Sequence, residues 1–473
     1  MIYLKRFAAL VSLLLVGVIL FSIATYCYRG ELSSTRSNIS GFYAEESDSI
    51  DVIIMGTSCT FSSYMPMEAW NEYGIVSYNF CTNVLLQNSM KYYVRELQKT
   101  QSPQLLIIDT ASFLYGHNSD TLSAEAVTIH RNTDALSMSI NRINLINELL
   151  PTMSERFDYY FDLLYYKDAE PVYDYWTNKR HTASKGYSNM PLYCTYMESD
   201  RIEISDSQER ALPEQEEVYL QELFAELRTF EGDVLFISQP VFPDEAMLDE
   251  MERERYISKV IVENGFDYLN MADYSEEIGM DGVFDYSLDE IHYNSMSAQK
   301  ITSFLAGYIV DKYNIPDRRE DAKYASWHED YNVWKEILAE EEAKTHDERD
   351  EYLYKQTSIG EYLKYLQSTY YNIEIFIPSN SQIWNDSEVL AALSEINQDI
   401  SGYVSVDCYL TKEKLVTEDM EEWDVLNKEL VSSREIKIVV YDLSGENIDS
   451  VQWCYDESEN SFLPARIAKT EEE

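Results

Sequence analysis

Positive charge is what this chain lacks most. Its 473 residues carry 37 Lys plus Arg against 84 Asp plus Glu, a formal net charge of −47. Such a field repels phosphate backbones, so a nucleic-acid partner is excluded as an expectation. Glycine (15) and proline (11) are scarce, which rules out a linker-rich or collagen-like chain. The six cysteines (Cys27, Cys59, Cys81, Cys194, Cys408, Cys454) show no metal-site spacing, so no zinc and no cofactor are expected. Free, part-buried thiols are the main expectation. Cys408 with Cys454, each at an apolar run near the C-terminus, is the one pairing proposed. What remains, 45% hydrophobic and 26% charged, is the composition of an ordinary globular protein.

Residues 7–28 carry no charge at all. As a helix this run spans about 33 Å, enough to cross a hydrocarbon core. Lys5 and Arg6 precede it and favour a cytoplasmic N-terminus. The expectation is a single-pass anchor in the cell membrane with the bulk of the chain extracytoplasmic. A cleaved signal peptide is the alternative, against which stand the length of the run and the want of a small-x-small site before Tyr28.

A polar stalk is expected over 29–48. Beyond it, short apolar runs alternate with helical patterns: strands at 51–55, 75–79, 104–109, 233–238 and 266–270. Helices are expected at 66–73, from 84 to 99, after Pro243-Asp244, and at 294–313. This rhythm predicts an α/β fold with a doubly wound parallel sheet. Residues 49–315 form that domain, with 110–212 as an aromatic insertion at the sheet's C-terminal edge. An acidic helical linker follows at 316–356. Residues 357–473 read as a C-terminal α+β domain, with strands at 373–377, 403–407, 436–441 and 448–454. A hairpin turn at Ser444-Gly445-Glu446-Asn447 joins the last two.

The first strand ends in Gly56-Thr57-Ser58. In doubly wound sheets ligands sit at the C-terminal strand ends, near the switch point. Alone, this is an ordinary helix start. Asp289-Glu290-Ile291-His292, between the fifth strand and the last helix, changes the odds. A spacing of three lets the carboxylate orient the imidazole, and His292 then takes a proton from Ser58. The other five histidines lie in the insertion or the acidic C-terminal part.

With these two blocks the sequence resembles the SGNH/GDSL hydrolase superfamily, in which a Gly-Asp-Ser-like block carries the nucleophile and an Asp-x-x-His block the rest of the triad. The resemblance implies Ser58 as nucleophile, His292 as base and Asp289 as its orienter. The flanking text is most similar to membrane-anchored, DltD-like proteins of Gram-positive bacteria, over roughly residues 49–315. Arg131-Asn132-Thr133-Asp134 and Lys185-Gly186-Tyr187 resemble elements of that group, and Arg131 and Tyr187 are taken as substrate-binding candidates. The oxyanion donors depart from the family pattern. Cys81 stands where a Gly is common, a change its backbone N–H donor survives; Asp109-Thr110 replaces a Gly-x-Asn-Asp block, and Asn79 or Asn83 is left to supply the side-chain donor.

Two function classes follow. The first is an extracytoplasmic serine esterase or O-acyltransferase acting on envelope glycans or a teichoic-acid-like polymer, beside a membrane-bound O-acyltransferase partner. The second is a non-catalytic SGNH-like module that binds such a polymer or an acyltransferase.

Overall fold

The computed structural model describes residues 2–28, 33–122, 126–161, 163, 165–166, 170–173, 176–190, 202, 208–245, 247–286, 292–417 and 436–466. They divide into two compact units. The first lies within Met1–Pro191, Ile202–Met280 and Asp289–Glu341; the second lies within Asp281–Leu288 and Glu342–Glu473.

The first unit is built on a five-stranded, wholly parallel sheet. Its strands are β1 (Val52–Met55), β2 (Ser77–Asn79), β3 (Leu105–Asp109), β4 (Asp233–Ser238) and β5 (Asp267–Asn270), in the order β2-β1-β3-β4-β5. Strand residues alternate between two cores. Ile53, Met55, Leu106, Ile108 and Phe236 face one, packed with residues of the helices Met90–Leu97 and Glu214–Leu227. Val52, Ile54, Leu105, Ile107 and Leu235 face the other, with residues of the helix Ser295–Tyr313. Burial on both faces is why these strands read as unbroken apolar runs. The order places the topological switch between β1 and β3.

Before the sheet, α1 (Ile2–Tyr28) is one helix, long and apolar enough to cross a membrane. The expected stalk is not one. Helix α2 (Ser33–Phe42) and the residue after it deliver Ile39, Phe42 and Tyr43 into the core, with the Phe42 ring tilted against Phe80 at 4.4 Å. Their i, i+3, i+4 spacing was a helical signal inside a polar stretch.

The second unit carries a six-stranded antiparallel sheet, order β11-β10-β9-β6-β7-β8. Its strands are β6 (Asn372–Ile377), β7 (Cys408–Leu410), β8 (Leu415–Thr417), β9 (Ile436–Tyr441), β10 (Asn447–Asp456) and β11 (Ser461–Arg466). The β9–β10 turn falls where expected, with Gly445 at φ +88°. Residues 403–407 form no strand; β7 begins at Cys408 instead. Cys408 and Cys454 are free thiols. Two strands, β9 and β6, separate the strands that carry them, about 14 Å at ordinary strand spacing, so the proposed pairing is corrected. The acidic segment is the helix Ala325–Lys355, and the boundary between the units falls inside it, at 341/342, within the span 316–356 read as a linker.

Candidate functional site

Chain direction leaves β1 at Met55, and the next residue has to be glycine. A Cβ on Gly56 would lie 1.9 Å from Thr60 Oγ1 and 2.8 Å from the Asp109 Cβ. Thr57 then caps α3 (Ser58–Ser63) reciprocally: its Oγ1 accepts from the Cys59 N–H at 3.3 Å, and its own N–H donates to Thr60 Oγ1 at 3.0 Å. Ser58 is therefore the first residue of a helix held to the end of β1, and it retains 8% of its surface.

Beneath this turn lies a buried polar network. Asp109, at the end of β3, accepts from Thr60 Oγ1 (2.8 Å), Gln239 Nε2 (2.7 Å) and the Ala111 N–H (2.7 Å). Burial pushes the Asp109 carboxyl above the usual carboxylate range, and the three hydrogen bonds oppose that rise. The ends of β1, β3 and β4 are thus tied together under the serine. In the sequence Asp109 stands only as a departure from a family block. The signal for this role was its place at the end of a fully apolar strand, where a lone carboxylate needs partners.

His292 arrives from the other end of the chain. Its Nε2 lies 2.7 Å from Ser58 Oγ, across 234 residues of sequence. The next residue is anchored on the serine's own helix: the Tyr293 N–H donates to Ser62 Oγ at 3.3 Å, and the Tyr293 hydroxyl donates to the Pro240 carbonyl at 3.3 Å. Asn294 follows as the cap of the helix Ser295–Tyr313. Asp289 lies outside the described residues.

The serine hydroxyl has one proton and two acceptors. Its Oγ is 2.9 Å from the Asn83 carbonyl oxygen as well as 2.7 Å from His292 Nε2. When the proton points to His292, the imidazole is neutral and accepts, the arrangement a general base requires. When it points to Asn83, the histidine must be the donor. The Ser58 N–H also reaches the Asn83 carbonyl, at 3.4 Å.

The remaining sequence candidates separate. Asn83 lies beside the serine, through its carbonyl. Cys81 is fully buried; its thiol points at the Ile54 carbonyl at 3.5 Å, and burial holds that thiol well above its ordinary range. Its side chain thus takes no part at the serine. Asn79 is also fully buried, and its Nδ2 donates to the Tyr64 carbonyl at 2.8 Å, so this amide braces β2 against the loop after α3. Tyr187 is a correction: it is 4% exposed, packs edge-on to Trp334 at 5.4 Å, and its hydroxyl donates to Asn189. Its neighbour Lys185 is equally buried, paired with Glu45 (2.7 Å) and Asp330 (2.8 Å). The Lys-Gly-Tyr element braces β2: the Asn79 N–H donates to the Lys185 carbonyl at 3.0 Å. Arg131 is half-buried on the helix Ala126–Thr133. Its carbonyl accepts from Thr82 Oγ1 at 3.1 Å, next in sequence to Asn83. Its guanidinium has no ion-pair or hydrogen-bond partner among the described residues.

A surface recess of about 570 Å³ lined by Gln101, Gln104, Gly232 and Asp233 opens at the other, N-terminal ends of β3 and β4, away from Ser58. The chain matches no protein-family model, and no curated protein matches it.

Proposed function

We propose that the first unit is a serine-dependent acyl-ester enzyme, an esterase or O-acyltransferase of SGNH type, working on cell-envelope glycans outside the membrane. The observation that carries this reading is the 2.7 Å contact of Ser58 Oγ with His292 Nε2 at the C-terminal edge of a parallel sheet, beside its switch point. His292 takes the hydroxyl proton as Oγ attacks the ester carbonyl; a tetrahedral intermediate forms and collapses to an acyl-serine. The proton passes to the leaving alcohol, and water or a glycan hydroxyl then takes the acyl group. Asp289, three residues before His292, is assigned the orienting role, and Arg131 remains the candidate for contact with an anionic or hydroxyl-rich acceptor. The helix α1 suits an anchor that holds the site near the envelope, beside a membrane-bound O-acyltransferase.

One observation favours the non-catalytic reading. The Asn83 carbonyl competes for the Ser58 hydroxyl and draws in its N–H, the group an oxyanion would need. A fluorophosphonate probe on the full chain decides between them. Labelling of wild type that is lost in Ser58→Ala and in His292→Ala supports catalysis. Absence of labelling, with envelope ester content in cells carrying Ser58→Ala equal to wild type, leaves the binding module.

A further inference from the structure

Charge and burial disagree along α1. Apolar sequence runs from residue 7 to residue 28, yet the helix is bare only through residue 20; from Phe21 onward it is partly or fully covered by its own domain. Bare residues 7–20 amount to about 21 Å at 1.5 Å per residue, short of a hydrocarbon core of about 30 Å. The missing 9 Å or so falls on the stretch that the domain covers. With α1 spanning a membrane, whatever covers that stretch would lie at the depth of lipid tails.

The covering residues are known. The Phe21 ring meets Phe161 edge-on at 6.1 Å, and Phe161 meets Phe157 at 4.8 Å. The Met138 N–H donates to the Tyr26 hydroxyl at 3.3 Å, and the Val172 N–H to the Cys27 carbonyl at 2.8 Å. Around this junction the insertion exposes an apolar face. Met153 (67% exposed) and Phe157 (51%) stand four apart on the helix Met153–Tyr160, and Phe161 (43%) follows at the next step of four. Ile140 (77%) and Ile143 (42%) stand three apart on the helix Ile140–Leu149. At 3.6 residues per turn Glu155 lies about 160° around the helix from both Met153 and Phe157, and Asp158 about 140° from Met153 and 100° from Phe157. Arg156 turns its guanidinium back onto the carbonyls of Leu150, Asn147 and Pro151. The charges of this helix thus leave Met153 and Phe157 clear, and Asp158 flanks Phe161 at the helix end.

We propose that this face, formed by Ile140, Ile143, Met153, Phe157 and Phe161, is seated in the bilayer leaflet at the C-terminal end of α1, with lipid acyl chains as its occupant. An aromatic series continuous with the lipid-facing helix distinguishes it from an ordinary exposed patch. With 84 acidic residues in the chain, apolar burial rather than attraction to anionic headgroups holds it there. The inference rests on α1 spanning the membrane and is independent of the chemistry at Ser58.

The test uses the full chain in lipid vesicles, in a background with Cys194→Ser and Cys454→Ser. A polarity-sensitive fluorophore is attached at Met153→Cys, at Phe157→Cys or, as reference, at Val262→Cys, a site 58% exposed on the helix Leu248–Glu263. Flotation with the vesicles tests α1 by itself. The expected result is a blue-shifted emission at 153 and 157, quenched several-fold more by spin-labelled lipid than emission at 262. Equal, water-like emission at all three sites overturns the proposal, as does failure to float. So does protection at 153 and 157 that depends on protein concentration rather than on lipid, which would make a second copy the occupant.

Discussion

The two sheets spend their polar groups differently. In the parallel sheet every strand points the same way, so hydroxyls, carboxylates and turns collect at one edge, and Thr60, Asp109 and Gln239 meet there at the ends of β1, β3 and β4. In the antiparallel sheet neighbouring strands end at opposite edges, and its polar contacts are scattered braces. Tyr362 donates to Asp449 at 2.9 Å beneath Trp453, and Tyr409 to Glu374 at 3.0 Å. Polar groups gather where topology aligns strand ends; an alternating sheet distributes the same residue types into separate braces.

The sharpest way to break this contrast is at the serine. Ser58→Ala is expected to lower ester turnover by about 10³-fold or more with little change in melting temperature. Steady-state kinetics beside a thermal melt checks both halves. The matching cut in the second unit is Trp453→Ala. This ring is fully buried, 5.4 Å from Tyr362, and its truncation is expected to cost about 3–5 kcal/mol. In denaturant unfolding the transition of the second unit should move while that of the first stays in place.

A smaller effect is expected at Asp109. Asp109→Ala leaves Thr60, Gln239 and the Ala111 N–H without their common acceptor, so the capped turn under Ser58 loosens. Turnover should fall about 10–100-fold with a modest change in KM, the signature of a misplaced nucleophile. Restoration of turnover by Asp109→Asn to within a few-fold of wild type would identify the hydrogen bonds, not the charge, as the working part.

The smallest effect belongs to Lys412, whose ammonium donates to the Ser368 carbonyl. Burial pulls its pKa from 10.5 down to about 8. Between those values the unfolded chain binds the extra proton, so this residue makes the second unit more stable as pH rises from about 8 to 10.5. Below pH 8 the buried charge is a cost. Lys412→Met should therefore raise stability at pH 7 by on the order of 1–3 kcal/mol and flatten that slope, as read from urea midpoints at several pH values.

Legibility followed burial. β1, β3 and β4, apolar on both faces, stood out as continuous runs, and the alternating strand β10 was visible from its turn at Gly445. Ser58 and His292 were readable because each sits at a punctuation mark, a strand end and a helix start. Three features were hidden. α2 sits in a polar stretch whose three core residues are outvoted by their neighbours. β7 and β8 are three residues each, too short for a period to register. Tyr187 reads like a binding aromatic, and only the partners Trp334 and Asn189 assign it to the core. Side-chain destination depends on contacts made across the chain, which no local pattern contains.

The wide separation of Ser58 and His292 also sets a schedule. β1, β2 and β3 are complete by residue 109, but β4 begins at residue 233, and the histidine follows later still. At a synthesis rate of about 5–20 residues per second, the 234-residue interval lasts roughly 10–50 s. Through that time the nascent chain carries Ser58 without the histidine that meets it in the folded unit. On the esterase reading, a half-made molecule is silent toward esters until the last strands of its sheet have closed.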